Sequence, residues 1–239
     1  MTHWFTVILI QPLINLLAFG YHYIPDIGVV IILLTILIRV LLAPSFHKSL
    51  SSQRQMAAMQ PKLNAVREKY KEDKVAQSKA MMDLYKEHQV SPFSSCLPLI
   101  IQLPILIALY QVFYIGLGNQ DIAKYLYHFV PNPGVMSPYF LHWINLAKPS
   151  FAFGVVAAIA QYFQSRLMLP PAGQTVDSTQ KMLQYQTLYF LPILTMLFSL
   201  RLPAGLPLYW VVTTLFAIGQ QYYIIRKNKP LIGQVTVVK

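Results

Sequence analysis

Arg39 stands inside IGVVIILLTILIRVLLAPSFHK, residues 27–48, an apolar run whose only interior charge it is. Arginine keeps its proton at any ordinary pH, and a charge near the centre of a membrane span costs about 2.5–3.5 kcal/mol on insertion scales. Something must compensate that cost. The eight carboxylates, Asp26, Glu68, Glu72, Asp73, Asp83, Glu87, Asp121 and Asp177, all fall in loops or at the edges of apolar runs, so an ion pair within the membrane is excluded by inventory. Snorkelling and hydration remain. Arg39 precedes Pro44 by five residues, about 7.5 Å of helix rise, and its stem can lift the head toward the headgroups. For hydration, the other apolar runs supply uncharged polar groups: Gln102 and Gln111, then Gln161 and Gln164, then Thr213, Thr214 and Gln220, with Thr35 one turn before Arg39 on its own face. Singly, each serves as a hydrogen bond between helices. Their number beside one unpaired arginine favours a polar cavity, and Pro98, Pro104 and Pro192 add freed carbonyls.

Such a cavity favours something anionic or strongly polar. No Walker A loop, HExxH, GxSxG or carboxylate pair occurs, so nucleotide and peptide hydrolysis lack their residues. A proton-coupled carrier would place a carboxylate within the membrane. The expected chemistry is binding and partition, with no enzymatic step and no cofactor. His128 and His142 have no carboxylate or cysteine at metal-ligand spacing. Cys96, the single cysteine, makes no internal disulfide and reads as a small buried residue.

The elements that must position Arg39 follow from composition. With 55% hydrophobic and 11% charged residues and a mean hydropathy of +0.46, the chain reads as an all-α integral membrane protein. Hydropathy places five spans at 27–46, 97–117, 151–169, 183–200 and 206–225. The fourth is the weakest, since its uninterrupted apolar part, 188–200, would cross only about 20 Å of a ~30 Å hydrocarbon core. Before the first span, Trp4 to Phe19 is interrupted by Gln11, Pro12 and Asn15. It reads as an interfacial helix, with a kinked first span as the alternative. No basic residue precedes it and no cleavage pattern follows, which disfavours a secretory signal. Residues 1–26, 118–150 and the link 201–205 carry few lysines and arginines, whereas 47–96, 166–187 and the tail 226–239 carry most of the net charge of +11. The positive-inside rule puts the N-terminus outside and the C-terminus in the cytoplasm.

The segment 47–96 is the largest polar insertion. Met56, Met59, Leu63, Val66 and Tyr70 recur at spacings of three and four, and Val75, Ser78, Met82 and Tyr85 repeat the pattern after the KEDK turn. That predicts a cytoplasmic helical hairpin with one apolar seam, with Pro61 in the first turn of a fresh helix. Its outer face, including Arg67 and Lys69, suits anionic partners, and its methionines suit varied apolar ones. In the outer loop, Tyr125, Tyr127, Phe129, Tyr139, Phe140 and Trp143 look like an interfacial aromatic belt.

ILIRVLLAP around Arg39, the basic MQPKLNAVREKYKED, CLPLIIQLPILIALYQVF, WINLAKP from Trp143 and LPAGLPLYWVVTT from Leu202 together resemble the YidC membrane protein insertases, whose organelle relatives are the Oxa and Alb insertases. The likeness covers nearly the whole chain. It implies an insertase and chaperone of the bacterial plasma membrane, with a hydrophilic groove in which Arg39, Thr35, Gln102, Gln161, Gln164, Trp210 and Thr214 meet a client. The client's apolar segment would slide along the third and fifth spans into lipid. The hairpin, through Met56, Met59, Arg67, Lys69, Met82 and Tyr85, would serve delivery. The implied partners are newly made membrane proteins, the bilayer, the ribosome and signal recognition particle pathway and the Sec translocase, with no specific nucleic acid. Without a large outer domain before Ile27, the chain looks like the short, Gram-positive type. A small anion channel or carrier built on the same arginine is the rival reading, and a structural partner of a larger translocase is a third.

Overall fold

The computed structural model describes residues 3–90, 97–118, 121–169 and 178–227. Cys96, Asp177 and the greater part of the 226–239 tail lie outside them. Eight helical elements follow in chain order: α1 (His3–Tyr23), α2 (Ile27–Ala58), α3 (Gln60–Lys69), α4 (Lys74–Glu87), α5 (Leu97–Gly116), α6 (Phe151–Met168), α7 over 178–199 and α8 (Gly205–Lys227). By length and composition α1 and α2 can each cross a membrane; 100–116 in α5 and 186–199 in α7 are shorter apolar helices.

α2 begins where Asp26 caps it, its Oδ1 accepting from the Gly28 and Val29 amides at 2.9 and 3.1 Å. The helix then runs unbroken for 32 residues, about 48 Å. The predicted boundary at Phe46 is absent because nothing there stops a helix. Pro44 is accommodated within it, and no glycine occurs between Gly28 and Gly116. The break comes at Met59, and Pro61 lies in the first turn of α3, where its missing N–H costs nothing.

α8 is the central element, packed lengthwise against α2 on one side and α6 on the other, with α7 lying on α6. α1 crosses α2 and α5 and buries Ile10, Leu13, Ile14, Leu17 and Ala18, the stripe expected of a helix with one inward face. These join Ile27 and Ile31 of α2, Val112 and Phe113 of α5 and Leu206 and Tyr209 of α8 in one core. The polar interruptions in α1 do not end it. Asn15 turns inward, 4% exposed, where its Nδ2 donates to the Gln11 and Tyr125 carbonyls at 2.7 and 2.9 Å and its Oδ1 accepts the Tyr127 amide at 2.7 Å. The length of α1 fits a kinked span as well as an interfacial helix.

Two π turns share one sequence context. In α1, Thr6–Ile10 closes with the Gln11 amide donating to the Thr6 carbonyl. In α7, Gln186–Phe190 closes with the Leu191 amide donating to the Gln186 carbonyl. A proline follows each at once, Pro12 and Pro192. A widened turn moves aside the carbonyl that the proline ring would otherwise crowd, whereas Pro44 and Pro104 stand inside helices that stay regular.

The outer loop departs from an all-helical fold. After the short 3-10 turn Ile122–Tyr125, strands β1 (Tyr139–Phe140) and β2 (Ile144–Asn145) pair antiparallel. Their connection carries Leu141 and His142 at φ +50° and +65°, the left-handed region a tight hairpin turn requires. The Leu141 amide donates to Asp26 Oδ2 at 2.7 Å, so the carboxylate that caps α2 also holds the ribbon. Phe140 lies against Gly28 so closely that a Cβ there would sit 2.1 Å from its ring. Of the aromatic belt, Trp143 and Phe129 are 86% and 78% exposed, while Tyr125, Tyr127 and Phe140 pack on the core.

Asn15→Ala should orphan the Tyr125 carbonyl and Tyr127 amide and destabilise the protein by roughly 2–4 kcal/mol. Equilibrium unfolding in detergent measures this, and a loss confined to the α1–loop contact would appear as faster hydrogen exchange at 121–127.

Candidate functional site: a buried cation between three helices

α2, α5 and α8 converge on Arg39, which is 6% exposed. Its Nη2 donates to Gln102 Oε1 of α5 at 3.1 Å and its Nε to Thr213 Oγ1 of α8 at 3.4 Å. Its Cζ sits 4.6 Å from the centroid of Phe46, two turns further along α2, a cation–π contact. Among the described residues no carboxylate pairs with it. The stem therefore leans toward the C-terminal end of α2, as in snorkelling, but the head stops among polar side chains. Neutral dipoles of Gln102 and Thr213 stand where a carboxylate would otherwise be needed.

A second layer fixes the first. Gln102 Nε2 donates to the Tyr209 hydroxyl at 2.8 Å, which orients the amide with its oxygen toward Arg39. Tyr209 is 2% exposed. It lies one turn before Thr213 on α8, so one helix face supplies both supports. Further along α8, Gln220 Nε2 donates to the Ala43 carbonyl at 3.0 Å and ties α8 to α2 beyond the arginine. Every group around the guanidinium is neutral, so its positive charge is solvated but not cancelled.

The residues expected to line one groove are distributed over two sites. Arg39 and Gln102 meet. Thr35 is on the same face and buried, but its Oγ1 donates to the Ile31 carbonyl of its own helix at 2.6 Å. Thr214 is buried beside Thr213, and Trp210 and Gln164 are half-buried. Gln161 is elsewhere: its Oε1 accepts from Thr195 Oγ1 at 2.6 Å, and Ser199 Oγ donates to the Thr195 carbonyl at 2.8 Å. It bonds α6 to α7, where Gly154 lets the helices close so far that a Cβ would sit 2.7 Å from Ser199. Sequence reasoning missed Tyr209 and Phe46. The i, i+4 relation of Tyr209 to Thr213 and the i, i+7 relation of Phe46 to Arg39 carried the signal.

The hairpin α3–α4 has its own small core of Met59, Leu63 and Val90, packed by Met56, Met81, Leu84 and Tyr85. Met82 and Val75, expected in the seam, are 50% and 82% exposed. The rotation of α4 is set at its start. Asp73 caps it, and Gln77 Nε2 donates to the Arg67 carbonyl at 2.9 Å and to the Tyr70 carbonyl. With Gln77 facing α3, Met81 and Leu84 follow on that face and Met82 turns away. Lys69 is exposed and lies over the Tyr70 ring, and Arg67 is half-buried.

The fold and site define a helical membrane protein that holds one uncancelled cation inside its helix bundle. Such a site points to binding of polar or anionic groups. The chain belongs to the 60Kd inner membrane protein family, whose model matches residues 19–231. It is 33% identical over 226 residues to the membrane protein insertase YidC of Pelobacter propionicus, covering 92% of this chain and 39% of that one. It is 36% identical over 218 residues to that of Syntrophus aciditrophicus, covering 90% and 36%. The chain thus spans about two fifths of the length of the curated relatives it matches. A crystal structure of an active YidC insertase with its first transmembrane domain resolved superposes with a TM-score of 0.62 at 26% identity, over 93% of this chain and 47% of that one.

If Gln102 holds Arg39, Gln102→Leu should destabilise the protein by about 1–3 kcal/mol by leaving a buried charge under-bonded. The double variant Arg39→Leu/Gln102→Leu should then be less destabilised than the two single effects added. A double-mutant cycle on unfolding in lipid or detergent measures the coupling, and strict additivity would show that the two side chains are independent.

Proposed function

We propose that this chain is a membrane protein insertase of the bacterial plasma membrane, working without nucleotide hydrolysis or a cofactor. The observation that carries this reading is the Arg39 site: a permanent charge surrounded only by neutral partners keeps its attraction for an incoming anionic group. In the five-span reading, with the N-terminus outside and the C-terminus in the cytoplasm, α2, α5, α6, α7 and α8 cross the bilayer. Arg39 then sits in the cytoplasmic half of a groove. The acidic outer segment of a client displaces weak bonds to Gln102 and Thr213 and bonds the guanidinium. The client's apolar segment meanwhile moves along α6 and α8, past Trp210, into lipid. Release needs no stored energy, because burial of a client helix in hydrocarbon drives the transfer.

The names borne by the relatives support this assignment. Newly made membrane proteins and lipid are the primary partners. Ribosome, signal recognition particle and Sec translocase are candidate partners of the basic hairpin. The hairpin packs on its own core, apart from that of the bundle, which suits a delivery arm.

In vesicles reconstituted with the purified chain, insertion of a single-span client with an acidic outer tail should fall at least tenfold for Arg39→Ala and by less for Arg39→Lys, which keeps the charge but loses the fork. Unchanged insertion with Arg39→Ala would refute the charge mechanism. Anion flux without client would favour a channel. Deleting 60–87 should leave a folded bundle by circular dichroism and unfolding, with lower insertion of ribosome-delivered clients; an unfolded product would contradict the delivery-arm assignment.

A further inference from the structure

A second site lies away from Arg39. Between α6 and α7 is a cleft of about 430 Å³. Ala158, Ile159 and Phe163 form one wall and Leu188, Pro192 and Ile193 the other, and the lining is almost wholly carbon. The Gln186–Phe190 π turn of α7, with Pro192 two residues beyond it, contributes Leu188 and Tyr189 to the wall that faces α6.

One end of the cleft has a different chemistry. Tyr162 and Tyr189 close it, their ring centroids 6.0 Å apart, and Tyr185 stacks on Tyr189 at 5.9 Å. Arg166, exposed at the last turn of α6, donates through Nη1 to the Tyr162 hydroxyl at 3.3 Å. Lys181, also exposed, stands one turn before Tyr185 on α7. Neither helix contains an acidic residue. An apolar slot therefore ends in phenol hydroxyls and a guanidinium with no carboxylate on either helix.

We propose that this cleft is a binding site for one anionic phospholipid, an acyl chain lying in the slot and its phosphate meeting Arg166. The match is one of shape and charge together. The slot is open along one face and lined by carbon, as an acyl chain lying against two helices requires, and its basic end suits a phosphate that an apolar client segment lacks. Arginine bonds phosphate through two N–H groups at once, and its hydrogen bond to the Tyr162 hydroxyl holds the guanidinium at that end of the slot. A bound lipid would fill the gap between α6 and α7 beside the π turn. The proposal rests on α6 and α7 lying in the bilayer, and it is independent of insertion activity.

Native mass spectrometry of the delipidated full chain in detergent tests it, with phosphatidylglycerol and phosphatidylcholine of the same acyl chains added in turn. The expected result is one retained phosphatidylglycerol, favoured over phosphatidylcholine by about fivefold or more, the scale of one basic residue at an anionic headgroup. Arg166→Gln should abolish the preference while leaving acyl-chain binding. Ala158→Phe, or Ile193→Phe if the first variant does not fold, should reduce retention of both lipids. Equal retention of the two by the unaltered chain, or a preference that survives Arg166→Gln, would overturn the proposal. So would a photoreactive side chain at Ile159 that captures a client segment in vesicles and no lipid. Because the lipid adducts are read without client, failure here leaves the insertase reading untouched, and failure of insertion leaves this site untouched.

Discussion

A permanent charge buried where no carboxylate can meet it is the constraint around which this molecule is arranged. Arg39 must be solvated by something, and the protein does so with dipoles drawn from two other helices. Each dipole has to be aimed. Gln102 is aimed by Tyr209, and Thr213 sits one turn from Tyr209 on the same face of α8. The rotation of α8 about its axis, and the depth of α5 against it, are thereby tied to the position of one guanidinium. Replacing the network with an ion pair would solvate the arginine better and cancel it. Neutral partners keep the field.

The two ends of the bundle are built differently. Toward the ribbon, Asp26 caps α2 and holds β1–β2, Asn15 clasps the loop to α1, and Leu13, Leu17 and Phe113 form a packed core. Toward the hairpin, Gln220 ties α8 to a single carbonyl of α2, Gln221 and Ile224 of α8 and Ser49 and Leu50 of α2 are buried, and α2 extends to Ala58. α5 packs more on α1 than on α2, so the gap that receives Arg39 is closed by side chains more than by helix contact. The π turns that precede Pro12 and Pro192 widen α1 and α7, while α2 and α5 take Pro44 and Pro104 without one.

Much of this was legible in the sequence, and the failures have a common form. Among the described residues Arg39 has no carboxylate partner, as the inventory of acidic positions implies, and the apolar runs coincide with helices, because both depend only on residue type. Gln102 was found for the same reason. Gln161 was grouped with it wrongly, since an amide in a span announces a hydrogen bond but not the helix it goes to; rotation of α6 sends it to Thr195. Met82 failed likewise. Its period was right and its phase was off by one residue, which Gln77 fixes through two carbonyls of the preceding helix. α2 continues past Phe46, the end of the predicted span, because hydropathy reports where lipid ends and says nothing of where a helix ends. The ribbon was too short to show a period of two.

In the insertase proposed above, water reaches the Arg39 face of α2 from the end nearer Phe46. Thiol accessibility measures this directly. With Cys96 replaced by serine, single cysteines placed from Val29 to Leu42 in the vesicle-reconstituted chain would be exposed to a membrane-impermeant, water-requiring thiol reagent. Reaction should be strong at Leu42, detectable at Ile38 and Thr35, and absent at Ile31 and at the lipid-facing Leu33, Leu37 and Leu41. Silence at Leu42, Ile38 and Thr35, or equal reaction around the whole helix, would contradict the account.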